Sequence, residues 1–244
     1  LKDNHVEYEF LKELNADLAI VCAYGQIIPE NFLNLTKKGF VNIHASILPS
    51  WRGAAPIQRS IMNLDPETGI SIMKIKKELD SGPVSNIYKI KIDQNQNAQE
   101  ISEKLSALAA EKILDNVDDI LEDKAKFIDQ DHSKATYAKK IDKEESRIDW
   151  DEDASKIIGK INGLFPSPGA SFSFNGERYK ILKAEIGNGI GQVGEIISNQ
   201  LEVACNKNQS IKILEIQRQG KRPQKISEFM LGSQIKKGSK LSNV

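Results

Sequence analysis

At 244 residues, with 39% hydrophobic and 28% charged residues, the chain is long enough for one large or two smaller folded domains and lies outside the compositions of disordered, collagen-like and coiled-coil chains. No apolar run reaches the ~18–20 residues of a membrane helix, and the opening stretch has neither a basic nor an apolar segment, so a soluble chain with no visible export signal is expected. The 34 basic residues balance 34 acidic ones, but unevenly: residues 1–138 carry 16 Lys+Arg against 21 Asp+Glu, residues 139–244 carry 18 against 13, and the last forty carry nine against two. A basic second half points to a polyanion such as nucleic acid, the plainer alternative being a lysine-rich surface. Cys22 and Cys205 form neither a disulfide framework nor a metal spacing, which fits a thiol-reducing compartment.

Residues 6–14 predict an amphipathic helix and 18–23 a buried strand. A helix feeding a buried strand is the second half of a βαβ unit, so the reading expects an α/β fold entered in its middle, incomplete at its N-terminus. A short helix (30–35) precedes a strand, Phe40–His44, then a loop (46–53) and a helix from about 55 to 62. Two strand-like runs, 69–76 and 83–92, flank a turn at Leu79-Asp80-Ser81-Gly82, and an apolar stripe from 101 to 121 predicts a long helix that closes a first domain, 1–122. Residues 123–147, polar and largely without periodicity, read as a linker. The remaining 148–244 predicts a helix over 153–161, then short runs at 170–174, 178–184, 194–198, 201–204 and 211–216, a spacing that suits a small all-β sandwich or barrel.

Some motifs are discounted. Gly189-Ile190-Gly191-Gln192-Val193-Gly194 matches a dinucleotide-binding pattern, but the next residues continue as a strand where a helix is needed. Asn34-Leu35-Thr36 and Asn208-Gln209-Ser210 match the glycosylation sequon, which has no meaning without export, and His5 and His132 read as solvated.

Asn42 and His44, two apart at the end of an apolar strand, fall on one face of the sheet, and ligands of open α/β sheets bind beyond the carboxyl ends of strands. Ser46, Trp51-Arg52-Gly53 and the Asp80 turn lie where such a cleft would be. Asn42-Ile43-His44, Ser46-Ile47-Leu48-Pro49, Trp51-Arg52-Gly53-Ala54-Ala55-Pro56-Ile57-Gln58 and Leu79-Asp80-Ser81-Gly82-Pro83-Val84 together resemble the folate-dependent formyltransferase family. The Trp51–Gln58 string resembles the branch that acts on methionyl initiator tRNA, whose C-terminal OB-like domain would correspond to 148–244. The sequence departs from the family at Ser167, where a Trp is usual, and near Asn162, where a basic residue is frequent; the family's first strands and a basic loop between them have no counterpart.

The resemblance implies a Rossmann-like, mostly parallel open sheet followed by a small OB-like β domain, in a bacterial cytoplasm or an organellar matrix. It implies catalytic roles for Asn42, His44 and Asp80. An Asn amide and a protonated imidazole suit the oxygen of a tetrahedral formyl-transfer intermediate, and a carboxylate orients the imidazole and favours its charged form. The implied donor is 10-formyltetrahydrofolate, a co-substrate, with no metal. Tyr24, Gly25, Gln26, Ile27, Ile28, Lys77 and Leu79 would wall its pocket, although Tyr24 and Ile28 read equally as core. Ser46 and Arg52 would shape the aminoacyl side, and Arg218, Lys221, Arg222 and Lys225 would meet tRNA phosphates without base stacking, since nothing aromatic is interleaved among them. The expected partners are initiator Met-tRNA and the folate donor, with no membrane; the oligomeric state is left open, a monomer being favoured. Formyl transfer to a nucleotide-sugar or glycinamide ribonucleotide is the alternative enzyme, and a non-catalytic folate- or RNA-binding remnant the alternative outside enzymes.

Overall fold

In the computed structural model, which describes residues 5–241, the chain divides into two units. The first runs to Ile57 and includes Glu67–Lys91 and Ser102–Lys140; the second comprises Gln58–Pro66, Ile92–Ile101 and the chain from Ile141.

The elements begin with α1 (His5–Glu13), β1 (Ala19–Cys22), α2 (Glu30–Leu33), β2 (Phe40–His44), β3 (Arg52–Gly53), α3 (Pro56–Met62), β4 (Glu67–Lys74), β5 (Val84–Lys91), α4 (Ala98–Leu121) and β6 (Tyr137–Ala138). The main sheet of the first unit is open, in the order β1-β2-β4-β5. It corrects the expectation of a mostly parallel sheet: β1 and β2 are parallel, but β2–β4 and β4–β5 are antiparallel. The residues between β4 and β5, 75–83, are too few for a parallel crossover, which takes about a dozen or more. Val41 and Ile72 on neighbouring strands, with Ile120 from α4, form the centre of this unit's core, and Tyr88, Ile113 and Phe127 pack around them.

The stretch expected to be a linker is structured. Ile128 and Val84 exchange backbone hydrogen bonds (2.8 and 2.9 Å), and β6 pairs in parallel with β3. Residues 123–140 therefore belong to the first unit. A polar strand that borrows its pairing partner from residues 40–90 positions earlier leaves no periodic trace in the sequence.

The second unit continues with α5 (Ala154–Leu164), β7 (Ser171–Phe174), β8 (Glu177–Gly187), β9 (Glu202–Cys205), β10 (Gln209–Arg218), β11 (Gln224–Lys225) and α6 (Ile226–Gly232). Its antiparallel sheet has the order β11-β10-β8-β7, and β10 shares its outer edge between β9, over Gln209–Lys212, and β11, over Glu215–Ile216. Two expectations are corrected here. The described strands do not close into a barrel, and α6, added to the expected helix α5, makes the domain α+β, not all-β. The seven residues of α6 bury only Phe229, too little to mark an apolar stripe. The predicted run 194–198 forms isolated bridges instead of a strand.

Trp150, Ile157, Ile161, Phe172, Ile181 and Ile211 anchor the second core. Gly159 and Gly163, one turn apart on α5, let that helix lie against 58–64: a Cβ would come within 2.7 Å of Leu64 Cδ2 at the first and 2.6 Å of Met62 Cγ at the second. In the same unit Arg59 makes a two-pronged contact with Glu145 (2.5 and 2.9 Å). The guanidinium holds the Glu145 carboxyl below its ordinary value of 4.5, so the stabilisation is present above that value and is lost as pH falls through the lowered one. Glu145→Gln is expected to cost about 1–2 kcal/mol at pH 7, a difference from wild type that shrinks as pH falls below the ordinary carboxylate range in urea unfolding curves.

Candidate active site

β2 ends in Asn42-Ile43-His44, and the pleat puts Asn42 and His44 on one face, with His44 opposite Ser71 of β4. His44 is 6% exposed, whereas Asn42 is half-buried. The His44 Nε2–H donates to the Trp51 carbonyl (2.9 Å), which leaves Nδ1 as the nitrogen that can take up a proton. Nδ1 lies 3.6 Å from Asp80 Oδ2, and the same carboxylate oxygen accepts the Gly53 N–H at 2.8 Å. The two groups that fix the imidazole both sit in the left-handed backbone region, Trp51 at φ +61° and Asp80 at φ +46°. Asp tolerates that conformation; a bulky Trp rarely adopts it, and such strain marks sites where surrounding contacts dictate the geometry. Here Thr136 supplies them: its hydroxyl accepts the Trp51 N–H (2.9 Å) and its carbonyl accepts the Arg52 N–H (2.9 Å). Gly53 at φ +117° has no room for a Cβ, which would stand 2.8 Å from the Ala138 carbonyl oxygen.

Ser46 and Arg52, expected to face substrate, are both buried. Ser46 Oγ donates to the Ser50 carbonyl (2.5 Å), and its own carbonyl accepts from Ser71 Oγ (2.7 Å), which in turn accepts the Leu48 N–H. Arg52 is 3% exposed and its guanidinium is engaged by Gln130 and His132. His132, read as merely solvated, thus meets Arg52 through Nδ1 at 3.2 Å. Both residues brace the loop around His44.

The loop after β1 leaves the sheet beside the end of β2, since Cys22 pairs with Ile43 in parallel register. Tyr24 is 44% and Ile27 84% exposed, so neither is core; Gly25 and Gln26 are also exposed and Ile28 is half-buried. Leu79, next to Asp80, is 58% exposed, and Lys77 is exposed too. Tyr24 and Ile27 after β1, and Leu79 beside Asp80, thus leave large apolar side chains exposed, the kind of surface a partly apolar ligand covers.

In the second unit a cavity of about 510 Å³ is lined by Arg218, Lys221 and Arg222 together with Phe174, Tyr179 and Phe229. Aromatic rings do therefore accompany the basic residues; they come from β7, β8 and α6, invisible to a search along the basic segment. Arg218 is ion-paired with Glu177, whose carboxyl this contact and the Tyr179 hydroxyl hold below its ordinary value, while burial pushes Tyr179 up to about 12. Lys225 lies outside the cavity on β11, in register with Glu215. The glycine-rich pattern at 189–194 has no helix after it; the Gly189 N–H is held by Glu202 and Ser210.

The α/β unit that holds Asn42, His44 and Asp80, and the second unit with its basic cavity, lie in a chain whose two parts match formyl transferase domains. The formyl transferase family model matches residues 3–117 and its C-terminal domain model residues 140–234. The chain is 66% identical, over its full 244 residues and 79% of the relative's length, to the methionyl-tRNA formyltransferase of Pelagibacter ubique. It is 41% identical to that of Dictyoglomus turgidum, over all of this chain and 80% of the relative. Among solved structures, HypX from Aquifex aeolicus in complex with tetrahydrofolic acid superposes with a TM-score of 0.70 at 19% identity, covering 94% of this chain and 41% of that one. The sugar 3N-formyl transferase WlaRD, with dTDP and 5-N-formyl-THF, gives 0.70 at 21% identity, over 87% and 77%. The chain belongs to the formyl transferase family, in its methionyl-tRNA formyltransferase branch.

Proposed function

We propose that the protein transfers the formyl group of 10-formyltetrahydrofolate to the amino group of methionine on initiator tRNA. The identity to methionyl-tRNA formyltransferases along the whole chain carries the choice of acceptor. The sugar transferase and HypX likenesses, at 19–21% identity, speak for the fold alone.

In the reaction a bond forms between the amine nitrogen and the formyl carbon, and the bond from that carbon to the donor nitrogen breaks. The amine gives up one proton and the donor nitrogen gains one. The Asn42 side-chain amide offers an N–H to the formyl oxygen as it gains charge. His44 Nδ1 takes the amine's proton and gives it up to the departing donor nitrogen, its Nε2–H remaining on the Trp51 carbonyl, while the Asp80 carboxylate at 3.6 Å offsets the transient charge. We assign the exposed Tyr24, Ile27 and Leu79, with the backbone of Gly25, Gln26 and Ile28 and the Lys77 side chain, to the donor. Lys221, Arg222, Lys225 and, once freed from Glu177, Arg218 would meet tRNA phosphates. Ser46 and Arg52 keep a supporting role.

The purified protein is expected to formylate methionyl initiator tRNA from 10-formyltetrahydrofolate, and to leave a dTDP-amino sugar and glycinamide ribonucleotide unmodified, as followed by mass spectrometry of the products. Formylation of either small amine in preference to the tRNA overturns the assignment.

A further inference from the structure

We infer that Gln130 is a positioning residue for this reaction: its side-chain amide clamps the Asp80 loop to the buried Arg52 and so sets the carboxylate against His44. The inference rests on the reading of Asp80 as the partner of His44.

The mutual hydrogen bonds of Ile128 and Val84, continued two residues along each antiparallel segment, bring Gln130 opposite Gly82. There the Gln130 Nε2 group donates to the carbonyls of Asp80 (2.9 Å) and Gly82 (2.7 Å). Its Oε1 accepts from Arg52 Nε (3.1 Å) and Nη2 (2.7 Å). Both amide protons and both oxygen lone pairs are thus used, in a side chain that is itself buried.

Arg52 gives this arrangement direction. Among the described residues no carboxylate lies within ion-pair distance of its guanidinium, so Gln130 Oε1 and His132 Nδ1 are the groups that answer its charge. A cation on the oxygen side polarises the amide and strengthens the two N–H donors on the other side. Those donors hold the carbonyls on either side of Ser81, where Asp80 occupies its left-handed conformation. From elsewhere the loop is confined by Lys74, whose carbonyl oxygen would lie 1.8 Å from a Cβ at Gly82, and by the Gly53 N–H on the carboxylate. Gln130 is therefore the link by which a segment fifty residues downstream sets the catalytic geometry. If it served only to satisfy a buried arginine, an acceptor alone would be enough.

That difference gives the test. At pH 7–8 Gln130→Glu keeps an acceptor for Arg52 and loses both donors to the loop. We expect its kcat to fall ~10–100-fold with the donor KM within about threefold and the melting temperature close to wild type, as misplacement of a reacting group predicts. Asp80→Ala, run beside it, separates the two readings. An inactive Asp80→Ala with Gln130→Glu within twofold of wild type overturns the positioning role alone; a fully active Asp80→Ala overturns the site assignment beneath it. Should Gln130→Glu fail to fold, the double variant Arg52→Met/Gln130→Met, which removes the buried charge together with its partner, carries the same expectation: a comparable fall in kcat supports the role, and kcat within twofold of wild type overturns it.

Discussion

Replacing His44 or Asp80 with alanine is expected to lower kcat by at least ~10²-fold while the Kd for the folate donor stays within a few-fold of wild type. The reason is geometric. The pair is assigned to proton transfer, whereas donor contacts are assigned to the exposed side chains of Tyr24, Ile27, Lys77 and Leu79 and the backbone of Gly25, Gln26 and Ile28. The two variants should not be additive, because Asp80 acts through His44 Nδ1, 3.6 Å away, and the double variant should be little worse than either single one. Single-turnover formylation with saturating donor measures the effect directly. Near-wild-type turnover in either variant, with the fold intact, removes the assignment.

The second large effect concerns tRNA affinity. Lys221→Ala/Arg222→Ala is expected to weaken tRNA binding by ~10–100-fold near 0.1 M salt and to reduce the slope of log Kd against log salt by roughly two units. Glu177→Gln should do the reverse: freed from its carboxylate partner, Arg218 becomes available to phosphate, and the slope should rise by about one unit as binding tightens. Opposite shifts from two variants of the same cavity are not what a generic basic surface gives. Filter binding of initiator and elongator tRNA across a salt series checks both, and an unchanged slope in the double variant would reduce the charge asymmetry to surface composition.

How much of this was legible beforehand depended on whether function lies in side chains close together in sequence. Asn42 and His44 could be read because a strand fixes their common face and the motif around them is dense. Trp51 was legible as a motif member, but its contribution comes through a carbonyl oxygen, which any residue possesses, and a left-handed backbone that the side chain argues against. Arg52 was misread for the opposite reason: a charged side chain in a cleft motif suggests substrate contact, and only the three-dimensional position of Gln130 and His132 explains how it can be buried. The stretch 123–140 hid its role because its pairing partners lie far upstream and its own pattern is polar. The antiparallel half of the main sheet was in principle readable from the short connection after β4, but the expectation of a parallel fold outweighed it.

The pairing of β3 with β6 also bears on the order of events at the ribosome. Domains fold as units while the chain emerges from its N-terminus, at about 5–20 residues per second. A nascent chain extruded to the end of α4 already holds Asn42, His44 and Asp80, yet lacks Gln130, Thr136 and Ala138, which set Trp51, Gly53 and the Asp80 loop in place. The residues assigned to the chemistry are made early and the residues that arrange them late, so the geometry proposed for the site waits on some sixty residues beyond Asp80. In that interval the imidazole and carboxylate lack the downstream contacts that register them, and those contacts arrive with the strand that ends the first unit.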